Sequence, residues 1–184
     1  GSYRKEIVIP ENWKNEKIYF HVGSATSNLS VWVNGKFVGY SEDSKSAAEF
    51  DLTPYLTPGK KNLIAMQVMR WCDGSYFEDQ DFWRLTGIAR EVYLYARPQS
   101  HISDVFITPD LTDNYVNGVL SIKLNSIACK GKNAVLTLKD QAGKVVKTEN
   151  VRLNNETTVK WHIDNPLKWT AETPNLYKLS IDLM

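Results

Sequence analysis

The chain has little of what metal centres, disulfide frameworks and polyanion-binding surfaces require. Its 184 residues include 2 cysteines and 3 histidines. Cys72 and Cys129 fall in different expected domains, which excludes a disulfide framework and argues against a bridge between them. His21, His101 and His162 are scattered, with no second His or Cys at ligand spacing, so no zinc centre is indicated. A formal net charge of +1 provides no field to hold a polyanion, which argues against nucleic acid or an anionic membrane surface as the main partner. No apolar run approaches the roughly 18 residues of a membrane-spanning helix. GxGxxG, GxxxxGKS/T and GxSxG are all missing, and with them the dinucleotide fingerprint, the phosphate loop and the nucleophile elbow. Asp73-Gly74 is not followed by ligands at the alternate positions of an EF-hand.

What is present is ordinary in bulk, 42% hydrophobic and 23% charged, and strongly patterned. Ile18, Phe20 and Val22 alternate with polar or amphipathic neighbours, as a half-buried strand does, and Leu29, Val31 and Val33 repeat the pattern. Asn34-Gly35 then separates that run from Phe37, Val38 and Tyr40, and such a pair predicts a type I′ hairpin turn. Thr53-Pro54 predicts a capped helical turn. Residues 63–69, LIAMQVM, predict a strand covered on both faces, and residues 92–95 another. The boundary falls near Arg97-Pro98-Gln99, dividing the chain into 1–98 and 99–184.

Beyond it, six short strands are expected, within 104–107, 120–124, 134–138, 144–146, 159–163 and 177–183, with a hairpin turn at Asp140-Gln141-Ala142-Gly143. So many short strands in one segment suggest an immunoglobulin-like sandwich, without the Cys–Trp–Cys pattern of antibody domains. The chain is expected to be all-β. The last strand runs up to Met184 with no turn or cap, which reads as an incomplete domain. Trp13, Trp32, Trp161 and Trp169 are assigned to core packing. Asn28-Leu29-Ser30 and Asn155-Glu156-Thr157 match the N-glycosylation pattern, which is short enough to recur by chance.

One stretch breaks the alternation. Residues 70–90 read RWCDGSYFEDQDFWRLTGIAR and combine Trp71, Trp83, Tyr76 and Phe77 with the carboxylates Asp73, Glu78, Asp79 and Asp81 and three arginines, Arg70, Arg84 and Arg90. Taken alone, the cluster 78–81 has three readings. Its carboxylates can cap amides and pair with Arg84 or Arg90. They can gather a hard cation or bind sugar hydroxyls beside aromatic ring faces. A glycosidase acid–nucleophile pair would need carboxylates roughly 5–9 Å apart across a scissile bond, which residues so close in sequence rarely achieve.

The motifs carry a resemblance. WVNGKFVGY at 32–40, followed by Ser41 to Ser44 and Phe50-Asp51-Leu52, resembles the sugar-binding domain of glycoside hydrolase family 2. DGSYFEDQDFWR at 73–84 is similar to the β-galactosidases of that family, and NPLKW at 165–169 with Glu172 and PNLY at 174–177 resembles the end of its immunoglobulin-like domain.

The resemblance implies a jelly-roll β-sandwich over 1–98, truncated at its N-terminal side, and a C-terminally incomplete immunoglobulin-like sandwich over 99–184. Both would belong to a retaining β-galactosidase whose two catalytic glutamates lie in a TIM barrel elsewhere in the parent enzyme. No catalytic residue is then expected here. The second aspartate of Asp-Gln-Asp, Asp81, is implied to bind sodium and the galactose 6-hydroxyl, and magnesium is compatible with other sites of the parent. The implied partners are the β-galactoside, the catalytic barrel and further copies in a homo-oligomer, with no nucleic acid or membrane. The compartment is left open between bacterial cytoplasm and periplasm. A β-glucuronidase or β-mannosidase of the same family, or a free-standing carbohydrate-binding module, are the alternatives.

Overall fold

The computed structural model describes all 184 residues, of which Gly1–Pro98 and Gln99–Met184 form two compact units. The first unit is a jelly-roll sandwich of two antiparallel sheets. One sheet has the order β1-β7-β4-β5, built from β1 (Ser2–Val8), β7 (Lys61–Met69), β4 (Asn28–Val33) and β5 (Lys36–Ser41). The other has the order β6-β2-β9, from β6 (Ala48–Asp51), β2 (Lys17–Val22) and β9 (Val92–Arg97). A two-residue pair, β3 (Ala25–Thr26) with β8 (Gly87–Ile88), stands apart.

The alternation in the sequence places the core. Ile18, Phe20 and Val22 of β2 face Leu29, Val31 and Val33 of β4 and Ile64 and Val68 of β7, with Ile9, Leu52 and Leu56 closing the ends. Burying each such side chain contributes roughly 1.5–3 kcal/mol. The run 61–69 differs from its expected double burial. Asn62, Ile64 and Val68 are buried while Leu63 and Ala65 are half-buried and Gln67 and Met69 exposed, because only one face of this sheet meets the other sheet.

Asn34 (φ 51°) and Gly35 (φ 82°) form the expected positive-φ turn between β4 and β5. That turn is tied down by an unforeseen buried amide. Asn62 is 1% exposed; its Oδ1 accepts from Asn34 Nδ2 at 2.9 Å and Thr57 N at 2.8 Å, and its Nδ2 donates to the carbonyls of Thr57 and Lys60, both at 2.9 Å. Asn34 Oδ1 in turn accepts from Leu63 N. Replacing Asn62 with Ala leaves several partners unmatched, and an expected loss of about 1–3 kcal/mol should appear in urea unfolding. A change within about 0.5 kcal/mol would show that the knot is ornamental.

Thr53 is not a cap. It lies inside a 3-10 turn (Thr53–Tyr55), where Asp51 Oδ1 accepts its amide at 2.9 Å and its own Oγ1 accepts from Ile18 N at 2.9 Å. The carboxylate two residues upstream takes the cap's place.

The second unit is also a sandwich. One sheet has the order β10-β11-β14: β10 (His101–Thr112), β11 (Asn117–Ile127) and β14 (Glu156–Ile163). The other is β13-β12-β15: β13 (Val145–Arg152), β12 (Asn133–Lys139) and β15 (Lys178–Leu183). The central strands β11 and β12 supply Leu120, Ile122, Leu124, Ala134, Leu136 and Leu138 to a core completed by Trp161, Val159, Leu153 and Cys129. Asp140 Oδ1 accepts from the amides of Ala142 and Lys144, which closes the expected turn with Gly143 at φ 81°.

Of the four tryptophans assigned to packing, Trp161 is 2% exposed, and Trp13 packs half-buried on the first core. Trp32 is half-buried on the outer face of β4, edge-on to Phe37 at 5.5 Å. Trp169 corrects the assignment: it is 62% exposed, in an irregular segment bridged only to Pro174. Asn28 of the first glycosylation pattern is buried, its Oδ1 accepting from Met69 N, which removes it as an acceptor.

Candidate functional site

Residues 70–90 leave the first sandwich at the end of β7 and re-enter it through β8 and β9. The return is tight. Gly23 N donates to Glu91 O at 2.9 Å, and a Cβ on Gly23 would sit 2.9 Å from Arg90 Cβ, so the two segments can approach only because this residue is Gly. At the departing end, Asp73 Oδ1 accepts from Gly74 N at 3.2 Å and starts a single helical turn, α1 (Gly74–Phe77).

Serines lash the loop to the sandwich. Ser27 Oγ donates to Arg70 O at 2.7 Å and lies 2.6 Å from Ser75 Oγ, which also accepts from Cys72 N at 3.1 Å. Ser24 Oγ donates to Ser44 O, and Arg90 Nη1 to Lys45 O. Asp43 organises the facing turn by accepting from the amides of Lys45 and Ser46, both at 3.0 Å, and those N–H groups, that of Ser46 first, hold its carboxyl below the usual range.

Trp71 is the hub of the loop itself. Tyr76 stacks against it at 6.2 Å, and the guanidinium groups of Arg70 and Arg84 lie 5.3 and 5.9 Å from its ring centre. Arg84 is ion-paired to Asp79, which realises the structural reading of that carboxylate. Lys45 Nζ stands 5.0 Å over the Phe82 ring. Trp83 takes no part in this packing and is 81% exposed. Tyr76, Phe77, Phe82 and Leu85 are exposed with it, so the loop presents four aromatic rings and one aliphatic side chain to its surroundings.

Under the loop lies a cleft of ≈ 550 Å³, within the size range of small-molecule sites. Ser24, Ser27 and Ser44 form its floor, while Lys45, Arg70, Arg84 and Arg90 against Glu78 and Asp79 give its wall a cationic balance. Asp81 lies outside that lining, exposed, and its carboxylate has no hydrogen bond or ion pair with the rest of the chain. Its oxygens suit a hard cation or a sugar hydroxyl. No cage of further side-chain carboxylates surrounds it, so this chain would supply one side-chain oxygen donor to a sodium shell completed from elsewhere.

A different group is gathered instead. The ligand atoms of Glu42, Cys72 and Asp73 lie within 4.8 Å of one another. Glu42 also accepts from the hydroxyl of Tyr40, and that bond, ahead of partial burial and the neighbouring negative charges, pushes the Tyr40 phenol up to about 12. Sequence spacing concealed this cluster because Glu42 arrives from the end of β5. The serines of the floor carried no signal either. The Asp43 turn was missed as well, although Asp followed by Ser-Lys-Ser is a turn pattern that could have found it.

Comparison with known proteins agrees with this architecture. The model of the glycosyl hydrolases family 2 sugar binding domain matches residues 1–98, and that described as glycosyl hydrolases family 2 matches residues 100–184. The β-galactosidase of Priestia megaterium is 41% identical over all of this chain and 19% of its own length. That of Vibrio vulnificus (strain YJ016) is 43% identical over the same shares, 100% and 19%. The chain thus spans about a fifth of the length of these curated relatives.

Among solved structures, the β-glucuronidase of Bacteroides uniformis superposes with a TM-score of 0.84 at 25% identity, covering 99% of this chain and 24% of that one. The β-glucuronidase of Bifidobacterium dentium gives 0.84 at 18%, covering 100% and 36%, a likeness of fold alone. With matching models over both sandwiches, the chain belongs to glycosyl hydrolases family 2.

Proposed function

We propose that this chain is the non-catalytic sugar-binding and immunoglobulin-like portion of a β-galactosidase that hydrolyses terminal β-D-galactosides. The observation that carries the reading is the identity of 41–43% to curated β-galactosidases along the whole chain, against 18–25% to the β-glucuronidases that share the fold. In this reading the loop 70–90 is held by Trp71 and the serine floor so that its rim faces a catalytic barrel belonging to the parent protein. Asp81 reaches a sodium ion and the galactose 6-hydroxyl there, and the chain alone has no hydrolytic activity.

Asp81 suits that role because its carboxylate is committed to nothing within the chain. Asp79, its neighbour two positions away, is committed to Arg84. Galactose differs from glucose at one axial hydroxyl, and an unmatched polar group in a site costs about 1–3 kcal/mol. Discrimination therefore rests on placing partners for hydroxyls, and a loop with an uncommitted carboxylate outside the cleft, beside exposed rings, offers them.

Assay of the full-length protein on a panel of nitrophenyl glycosides tests the reading. Hydrolysis of the β-galactoside is expected to exceed that of the β-glucuronide and β-mannoside by at least about 100-fold in kcat/KM, the discrimination that one or two mismatched polar contacts provide. Preference for the β-glucuronide would move the chain to the other branch of the family.

A further inference from the structure

Asp81 lies inside a small ring that the chain closes with its own charges. The ion pair of Asp79 with Arg84 joins the two ends of residues 79–84. Within that span Phe82 N donates to Gln80 O at 2.7 Å, a three-residue turn centred on Asp81. Arg84 also anchors the ring. Its Nη2 meets the Asp79 carboxylate while its guanidinium lies 5.9 Å from the centre of the Trp71 ring, two contacts that a planar, delocalised cation can make at once. Trp71 comes two residues after the end of β7. A short line of contacts therefore runs from the sheet through Trp71, Arg84 and Asp79 to the backbone around Asp81.

We propose that Arg84 is a positioning residue for Asp81. By closing the ring 79–84 and docking it on Trp71, it holds the Asp81 carboxylate in the orientation that meets sodium and the galactose 6-hydroxyl. This role rests on the one proposed for Asp81 above, and adds to it a side chain that touches neither ion nor sugar. The contacts that carry it are all internal to residues 70–90.

The reason is one of populations. A carboxylate with no partner of its own is aimed only by the backbone that carries it. If that backbone is loose, a fraction of the molecules presents the competent orientation, and the apparent affinity falls by that fraction. Opening the ring lowers the fraction without altering the carboxylate, so saturating sodium and substrate recover the competent state. The half-saturation values then rise while kcat is nearly kept. A merely structural loss does the reverse, because fewer folded molecules lower kcat and leave the half-saturation values in place.

Arg84→Gln tests this with two readouts. In this chain, nitrogen-15 relaxation should give the Asp81 amide an order parameter near about 0.85, falling below about 0.6 in the variant, with the amides of β4 and β7 unchanged. In the full-length protein, the sodium half-saturation and the KM for a nitrophenyl β-galactoside should rise about 2–5-fold, the worth of an exposed ion pair. At saturation kcat should stay within about twofold. Combined with Asp81→Asn, the variant should shift the sodium half-saturation no further than Asp81→Asn alone. If Arg84→Gln does not fold, Arg84→Met, which keeps an apolar stem over Trp71, gives the same test. An Asp81 amide already mobile in the unaltered chain, or still ordered in the variant, overturns the proposal whatever the kinetics. A loosened Asp81 with unchanged half-saturation values, or a fall in kcat alone, overturns it while the role of Asp81 stands. If Asp81→Asn itself leaves sodium dependence untouched, the role of Asp81 fails and the positioning role goes with it.

Discussion

On the proposed function, Asp81→Asn in the full-length protein is expected to lower β-galactosidase activity by more than about tenfold, because a hydrogen bond to a charged acceptor is worth about 1.5–3 kcal/mol. Sodium dependence should weaken with it, since the amide keeps an oxygen but removes the charge that favours a hard cation. The free carboxylate makes this a clean substitution. No residue of the chain leans on it, so the thermal midpoint should stay where it is while the kinetics change. The two effects separate a site residue from a structural one. Asp79→Asn is the contrasting control, because it breaks the pair with Arg84 and loosens the packing around Trp71. Steady-state kinetics with and without sodium decide the matter, and near-normal values for Asp81→Asn would take the residue out of the site.

The largest effect on stability is expected at Trp161. Its ring is 2% exposed in the second core, opposite Leu120 across the β11–β14 pairing. Its indole N–H donates to the Glu149 carboxylate at 2.5 Å. Because Trp161 is on β14 and Glu149 on β13, this bond joins the two sheets of that sandwich. Trp161→Ala therefore removes a large buried volume and a cross-sheet tie together, with an expected loss of about 3–5 kcal/mol. Hydrogen exchange locates the damage. Amides of β11 and β12 should exchange much faster, while those of β4 and β7, which surround a separate core, should keep their protection. A loss under about 1 kcal/mol, or acceleration spread evenly over both sandwiches, would contradict the assignment.

The strands legible in the sequence are those with one face in a core. β2, β4, β11 and β12 alternate buried and half-exposed positions almost without exception, and alternation is what a sequence displays. β1 escaped notice because nearly every residue in it is exposed, and its identity comes from register with β7. β13 was recognised only at its start for the same reason, and β6 only as part of a motif. An edge strand is defined by its partner's hydrogen bonds, which leave no periodic trace in its own residues.

The site divides along the same line. The Trp71 hub and the Asp79–Arg84 pair were within reach of local reasoning because their members are close in sequence. The Ser27–Ser75 contact, the Asn62 knot and the Glu42–Cys72–Asp73 group join distant segments and were not. Trp169 misled because aromatic residues are more often buried than exposed, and the irregular segment around it has no pattern to say otherwise. The role proposed for Asp81 rests on family resemblance alone. Its neighbours in the sequence carry the same charge, and nothing local singles it out.

The attachment of the loop has a consequence for how such a scaffold diversifies. Both roots of residues 70–90 are fixed by contacts that involve no residue of the loop's outer rim. One root is the hydrogen-bonded end of β7, and the other is the close passage of Gly23 against Arg90 and Glu91. Lengthening or shortening the rim changes the entropy of closing a loop only slowly with its length, and no strand register depends on the rim. Insertions, deletions and wholesale changes of side chain can therefore accumulate there while the sandwich beneath is inherited unchanged. One barely altered frame can thus come to serve enzymes with different sugar preferences.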